Sequence, residues 1–502
     1  MWVDYRFEKV TIPCLSCVTE EHQTQELTQE VRLNDGMPDI GRVIAAWGQV
    51  VMRSKEWLTG TAKTSGGVMA TVLYAPEDGS EVRSVEAWIP YQIQWNIPET
   101  QLDGTLCIVP GLRFIDGRMS GARRILVRAG IYAFLDAFCP SEQVIFKPNK
   151  LPEDIQIRQL SCTGRIPKEA GEKTFLLDDD VKIPISDENP GKVLHCSLRP
   201  IIHESRVMTD KIVFRGSALL RLLHKEDNGK LRGYSFELPF SQFSELSGQF
   251  SPEAKVRVCP VTTSVELEGT DPQMLHLKCS IVAQYVVDEL ETLNVIDDIY
   301  STRGELNPQT ETLCRDVILK ETQETFSPEV ALHGISGTIV DAVSFMDFPR
   351  ITNTDSGMAE DHSGAFKVLY YDKDEILQTA AGSWDERTEV PESMDCSCAV
   401  FDVPMGEVSV SQAGEECSLS IPIRTDLRIS GRSEQTVIAG FEQKETESDV
   451  DHRPSLIICK PGEDTLWDIA KRYKSTIRDI ERANNSDDNR EADSFLLVPI
   501  PQ

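Results

Sequence analysis

The sequence predicts a mainly β protein, built of tandem antiparallel, sandwich-like domains followed by a small βααβ module. Three observations carry that prediction. A unit is written twice at a spacing of 150 residues and, more loosely, a third time before residue 440. The closing segments of the units alternate apolar and polar residues with a period of two. The final stretch, KPGEDTLWDIAKRYKSTIRDIERANN at residues 460–485, switches to helical spacing.

The totals are consistent with several cores. At 502 residues the chain is more than three times a typical domain of roughly 150. With 81 acidic against 51 basic residues it carries a formal charge of −30, which repels phosphate backbones and anionic lipid headgroups. Nucleic acid is excluded as a partner class on that ground. The opening MWVDYRFEKV lacks a basic stretch followed by an apolar run, and no segment offers roughly 18 uninterrupted apolar residues. A soluble, non-exported protein without membrane insertion is expected. The 13 cysteines are spread thinly and mostly within apolar runs, as reduced buried thiols are. Cys14 and Cys17 form a CxxC with no second pair or nearby histidine to complete a zinc site, and read as part of a strand.

The repeat is legible in two separate stretches. VLYAPEDGSEVRSVEAWIPY (72–91) aligns with LLHKEDNGKLRGYSFELPF (222–240), and the same spacing of 150 carries GRVI (41–44) onto GKVL (191–194). A third copy begins its matching segment at Val368, 146 residues after Leu222. Its upstream part, ALHGISG from Ala331, resembles VLHCSLR from Val193 at a spacing of 138. Eight extra residues are therefore expected in FPRITNTDSGMAEDHSG. EDG (77–79) and DNG (227–229) supply the glycine that a tight hairpin with positive φ requires. Copy three has DKDE there, so a different turn is expected.

Each copy ends in a period-2 strand: RRILVRAGIYA (123–133), LHLKCSIVAQY (275–285) and CSLSIPIRTDLRI (417–429). In the second, Leu275, Leu277, Cys279, Ile281, Ala283 and Tyr285 face a core, while His276, Lys278, Ser280 and Gln284 face water. The expected domains are 1–140, 141–288 and a divergent 289–440, then an acidic linker at 441–454 and a terminal module at 455–502. The linker is polar with little to bury, a tether on which the module searches for its partner.

In the module SLIICK (455–460) is a strand and PGED, with Gly462, a turn. Thr465 with Asp468, and Thr476 with Asp479, have capping-box spacing and open two short helices. Leu466, Ile469, Ala470 and Tyr473 form one buried stripe, and Ile477, Ile480 and Ala483 another. SFLLVP (494–499) closes the unit as a second strand.

Through KPGEDTLWDIAKRY, IRDIERANN and LLVP the module resembles the LysM domain, which binds N-acetylglucosamine-containing glycans such as peptidoglycan. It departs from that pattern by one extra residue in PGEDTL and by EADSF before the last strand. The β copies resemble SPOCS-type domains of sporulation proteins, through MPDIGRVIAAWGQV, VLYAPEDG and ELPFSQF. Several such domains followed by one LysM domain resembles the SipL/SpoVID-like family of spore-coat morphogenesis proteins. That resemblance implies a protein of the mother-cell cytoplasm, at the forespore and spore-coat surface, whose LysM domain binds a SpoIVA-like coat ATPase alongside other coat proteins.

The candidate partner- or glycan-binding residues are Gly462, Asp464, Thr465, Trp467, Asp468, Asn484, Asn485 and Ser486. Trp467 lies off the centre of the buried stripe and is partly wet, either a binding anchor or a cover for the edge of a small core. Asp464, Thr465 and Asp468 face a partner or simply cap the helix. The Asn484–Ser486 run presents amides to an acetamido sugar or a partner backbone, or simply ends a helix. No histidine pair, GxSxG, Walker A or HExxH motif is present, and Asp178-Asp179-Asp180 reads as a wet turn. No catalytic residue, metal or cofactor is assigned. The expected function is a non-enzymatic scaffold of multivalent contacts, with a peptidoglycan-binding wall or cortex protein as the alternative.

Overall fold

The computed structural model describes residues 2–99, 103–184, 192–271, 274–335, 337–354, 357–390, 397–413, 416–444, 455–460, 464–484 and 495–500. Copy one contains β1 (Trp2–Arg6), β2 (Glu8–Arg32), β3 (Ile40–Leu58), β4 (Thr61–Pro76), β5 (Arg83–Asn96), β6 (Thr105–Gly121) and β7 (Arg124–Lys147). Copy two contains β8 (Ile155–Lys182), β9 (Lys192–Met208), β10 (Lys211–Lys225), β11 (Leu231–Glu245), β12 (Lys255–Asp271) and β13 (Met274–Ser301). Copy three contains β14 (Glu305–Phe326), β15 (Glu329–Leu332), β16 (Thr338–Met346), β17 (Arg350–Thr354), β18 (Gly357–Tyr371), β19 (Leu377–Val390), β20 (Ser397–Pro404), β21 (Ser409–Ala413), β22 (Glu416–Ser420) and β23 (Ile423–Lys444). The tail adds β24 (Leu456–Cys459), α1 (Leu466–Tyr473), α2 (Ile477–Ala483) and β25 (Leu496–Pro499).

Every strand pairing among the described residues is antiparallel, and the copies share one plan. A central sheet, β3-β4-β5, β9-β10-β11 or β16-β18-β19, packs on outer strands: β2-β7-β6 in copy one, and in copies two and three the two ends of one seven-stranded sheet, β1-β23-β14-β8-β13-β12 with β20 beside β23, joined where β14 meets β8 and supplemented in copy three by the small sheet β15-β22-β21. The apolar faces of each pair meet in a core: Val68, Val72 and Ile89 against Ile115 and Ile131 in copy one, and Phe214 and Leu220 against Leu277 and Ile281 in copy two. These are the sandwich-like β domains predicted. The boundaries expected after 140, 288 and 440 fall inside β7, β13 and β23, which run on to Lys147, Ser301 and Lys444. Residues 441–444 of the expected linker thus belong to β23, and 445–454 lie outside the described residues.

The repeat spacing survives in the registers. The hairpin of copy one closes at Leu58↔Thr61, that of copy two at Met208↔Lys211, 150 residues later. Thr354↔Gly357 in copy three follows at a further 146, and so does the upper end, Thr338↔Tyr371 against Lys192↔Lys225. This corrects the alignment of ALHGISG with VLHCSLR. That segment lies before β16, so FPRITNTDSGMAEDHSG carries no insertion. The equivalent of β9 is instead split into β16 and β17, with Pro349, which lacks a backbone N–H, between them.

Gly79 and Gly229 hold φ of 71° and 80° in their hairpin turns, as the sequence requires. In copy three Glu375 stands at the matching position with φ 57°, so the turn keeps the same handedness without glycine. Asp372 holds it: its backbone O accepts from Glu375 N–H at 3.0 Å, and its Oδ1 accepts from the N–H groups of Asp374 and Ile376 at 3.0 and 2.9 Å. Two further expectations fail for local reasons. The strand expected over 417–429 breaks at Ile421-Pro422 into β22 and β23. Asp178–Asp180 is not a turn but part of β8, where Asp178 and Asp180 flank His276 of β13 at 3.3 and 2.8 Å.

The three copies close on one another. Lys225 Nζ meets Glu81 at 2.7 Å, Lys230 Nζ meets Glu375 at 3.0 Å, and the Arg42 guanidinium donates to Gln378 Oε1 at 3.0 Å and to the Leu377 carbonyl at 2.8 Å. These contacts run from copy one to two, two to three and three to one. Inside them Leu73, Leu223 and Leu369, at equivalent positions, share one apolar cluster. Closure explains why Gln284 is buried rather than wet: its side chain bonds the backbone of Ile108 in copy one at 2.7 and 2.9 Å. A charged junction is shared by all three copies. Asp136 of β7 pairs with Arg257 of β12 and, at 3.6 Å, with Arg428 of β23. Cys17 and Glu20 approach the same carboxylate, but Arg428 also reaches Glu20 at 3.2 Å, so arginine meets the acidic charge of this cluster. Burial pushes the Cys17 thiol far up, away from the thiolate form a metal prefers.

Candidate functional site

The tail is the small βααβ unit the caps predict. Strands β24 and β25 pair antiparallel from Leu456↔Pro499 to Cys459↔Leu496. Thr465 is the N-cap of α1: its Oγ1 accepts from Asp468 N–H at 3.3 Å, while the Asp468 carboxylate accepts from Thr465 N–H at 3.1 Å and from its hydroxyl at 2.6 Å. These bonds hold the Asp468 carboxyl below the usual carboxylate range. Thr476 caps α2, its Oγ1 accepting from Asp479 N–H at 3.1 Å. Asp464 pairs with Arg472 at 2.7 Å across α1. Thr465 and Asp468 therefore complete the capping box that their spacing predicts.

Asn484 is committed inside the module. Its Nδ2 donates to the carbonyls of Ile480 and Leu497 at 2.6 Å each, and its Oδ1 accepts from Leu497 N–H at 2.8 Å. The amide thereby staples the end of α2 to β25. Gly462, Asn485 and Ser486 lie outside the described residues.

Trp467 is neither an open anchor nor merely the edge of the module's own core. The buried stripe expected at Leu466, Ile469, Ala470 and Tyr473 is corrected: Leu466 is 38 % exposed, and Trp467, only 7 % exposed, is buried beside Ile469 and Ala470. Its cover is the β body. The indole meets Tyr300 of β13 edge to face, 4.9 Å between ring centres and 71° between planes, and Nε1 donates to Asp298 Oδ2 at 2.8 Å. The Arg158 guanidinium lies over the indole, 5.7 Å from the ring centre. Lys471, one turn further along α1, donates to both oxygens of Asp298 at 2.7 and 2.8 Å. The Tyr300 hydroxyl donates to the Ser475 carbonyl at 2.8 Å in the turn between the helices. Burial alone would raise the Asp298 carboxyl, but the bonds from Lys471 and Trp467 outweigh it and leave the group below its ordinary range. The module is thus docked on the body. The expectation of a tail that searches freely on its tether is corrected to this extent.

Asp298 and Tyr300 were not singled out from sequence. The available signal was the pair Asp297-Asp298 inside an otherwise apolar strand, NVIDDIY. The register against β8 shifts between Ile296 and Asp298, and a bulge of this kind re-aims a side chain.

The geometry defines the class of protein: antiparallel β repeats closed on one another, carrying a docked βααβ binding module. Comparison with family models identifies the modules themselves. The model described as SipL, SPOCS domain matches residues 190–268, and the LysM domain model matches residues 460–490. No curated protein and no solved structure matches the chain. The chain carries a SPOCS domain of the SipL type and a LysM domain, the combination its sequence resembles. The SPOCS match covers copy two alone, from the start of β9 into β12, and the shared registers give copies one and three the same framework. Both are non-catalytic binding modules, and together they fit a sporulation protein. Among the described residues no helix is long and apolar enough to cross a membrane.

Proposed function

We propose that this chain is a non-enzymatic sporulation scaffold, whose LysM domain binds a SpoIVA-like morphogenetic ATPase and whose β units gather other coat proteins at the forespore surface. The partner's identity rests on the family resemblance. The observation that supports a protein partner is the outward face of the two-stranded sheet. While Ile457, Cys459, Leu496 and Val498 turn into the module's core, Leu456 and Ile458 remain 47 % and 61 % exposed, and Phe495 just before β25 is 70 % exposed. Apolar side chains gathered on so small a unit suit a protein surface. Division of the body into three β units, with the tail joined by an acidic segment, suits multivalent assembly, because linked weak contacts raise avidity.

The LysM match favours a second reading, a module for peptidoglycan, for which Gly462, Asp464, Thr465, Asn485 and Ser486 are the candidate sugar-binding residues. One comparison separates the two. The full chain and its Ile458→Asp variant are offered to insoluble peptidoglycan and to the immobilised coat ATPase. The scaffold reading expects capture by the ATPase and its loss in the variant. Retention by peptidoglycan alone, unchanged in the variant, would reverse the assignment.

A further inference from the structure

Where the three copies meet they surround a cavity of about 280 Å³. Gln49, Arg199 and Phe345 occupy equivalent positions in its wall, opposite Met69, Leu219 and Ala365 in the registers of their sheets. Two of the three are accounted for. Gln49 exchanges two hydrogen bonds with the backbone of Leu198, at 2.8 and 2.9 Å, and Phe345 belongs to the apolar core of copy one. Arg199 is different. Among the described residues no carboxylate pairs with it, and the groups that act on its charge are Arg221, which repels it, and Tyr132.

The neighbouring cations are matched. Arg221 pairs with Asp341, Arg424 with Asp426 at 2.9 Å, and Arg257 with Asp136. Among the described residues Arg199 has no such pair, and the further carboxylate nearby, Glu407, acts on Arg221 and Asp341 instead. Arg199 keeps accessible surface and, as a wall residue, turns it to the cavity. Nearby protein and the charge of Arg221 push its guanidinium down to about 10. Its guanidinium is exposed towards the cavity and free to take an anionic partner.

We propose that this cavity binds a small organic monoanion, a carboxylate held by the Arg199 guanidinium with its apolar part against the aromatic wall. The planar fork of arginine matches a carboxylate in two parallel hydrogen bonds, and a single unmatched cation calls for a single negative charge. Trp47, Tyr132, Phe134 and Phe348 supply flat apolar surface, the last two stacked at 5.6 Å. The volume lies just below the span of ligand pockets, roughly 300 to 1,000 Å³, so the ligand is small. This site is separate from the LysM domain and does not depend on what that domain binds.

The test is calorimetric titration of the full chain with benzoate at constant ionic strength, alongside benzyl alcohol, phenyl phosphate and chloride. Benzoate should bind one to one, with benzyl alcohol and chloride weaker by about tenfold or more. Arg199→Gln, which installs the residue of copy one, should weaken benzoate by about tenfold or more while the ligand-free melting temperature holds or rises. Arg199→Lys should fall between. Absence of benzoate binding, equal affinity in Arg199→Gln, or a lower ligand-free melting temperature in that variant would overturn the site. Tighter binding of phenyl phosphate than of benzoate would overturn the carboxylate.

Discussion

The indole Nε1 of Trp467 donates to the carboxylate of Asp298, 169 positions earlier in the chain, at 2.8 Å. Replacing Trp467 by alanine should remove this bond and the contact with Tyr300, at a cost of about 3–5 kcal/mol to docking. Ile469, Ala470, Ile480 and Val498 remain to hold the module together. Its helical circular dichroism should persist while protection from hydrogen exchange around Tyr300 is lost. Trp467→Phe, which keeps a ring but not the donor, should cost about 1.5–3 kcal/mol. Loss of the helical signal in Trp467→Ala would make the tryptophan a core residue of the module instead.

Docking should weaken in acid. The carboxyl of Asp298 is depressed in the folded state, so its contribution is complete above the unfolded value of about 3.9 and disappears as pH falls through the folded value. Protease sensitivity of the segment before the module, followed on lowering the pH from neutral to about 3, should rise below about pH 4. In Asp298→Asn the sensitivity should already be high at neutral pH, because Lys471 loses its counter-charge, and should respond less to acid.

Glu375 in the left-handed region carries a conformational cost that glycine avoids. Glu375→Gly should raise stability by about 1 kcal/mol, and Gly229→Ala should lower it by a similar amount. Thermal unfolding of the two single variants measures both. The Glu375 pairing with Lys230 joins two exposed side chains, and its loss offsets little.

Asp136 is buried, with guanidinium groups from copies two and three upon it. Asp136→Ala leaves those charges without their shared partner and should destabilise by about 3–5 kcal/mol. Denaturant unfolding should report it, and Glu20→Ala, which spares Arg257, should cost less.

Much of the fold was legible in the chain. The spacing of 150, read from segments beginning at Val72 and Leu222, reappears in hairpins that pair residue for residue, because strand pairing is set by local turns and by alternation. The spacing of 146 for copy three was equally sound where a hairpin carried it. It failed upstream, where ALHGISG offered likeness of wording but no turn to fix a register. Thr465 and Asp468 were legible for the same reason, since a cap and its partner lie three residues apart. Trp467 was not legible: helix geometry put it off a stripe led by Leu466, yet Leu466 is the exposed residue, because what covers Trp467 lies on β13.

By itself, then, the sequence determined what neighbours along the chain decide: an antiparallel β body written in three copies, the hairpin turns, and a capped βααβ tail of LysM type. Tertiary structure alone decided what distant segments do on meeting. It buried Gln284, set Asp136 between two arginines, docked Trp467 on Tyr300 and left Arg199 facing a cavity. The reason is physical. Hydrogen-bonded turns and periodic faces act over a few residues, whereas burial and pairing of charge depend on which surfaces the closed chain brings together.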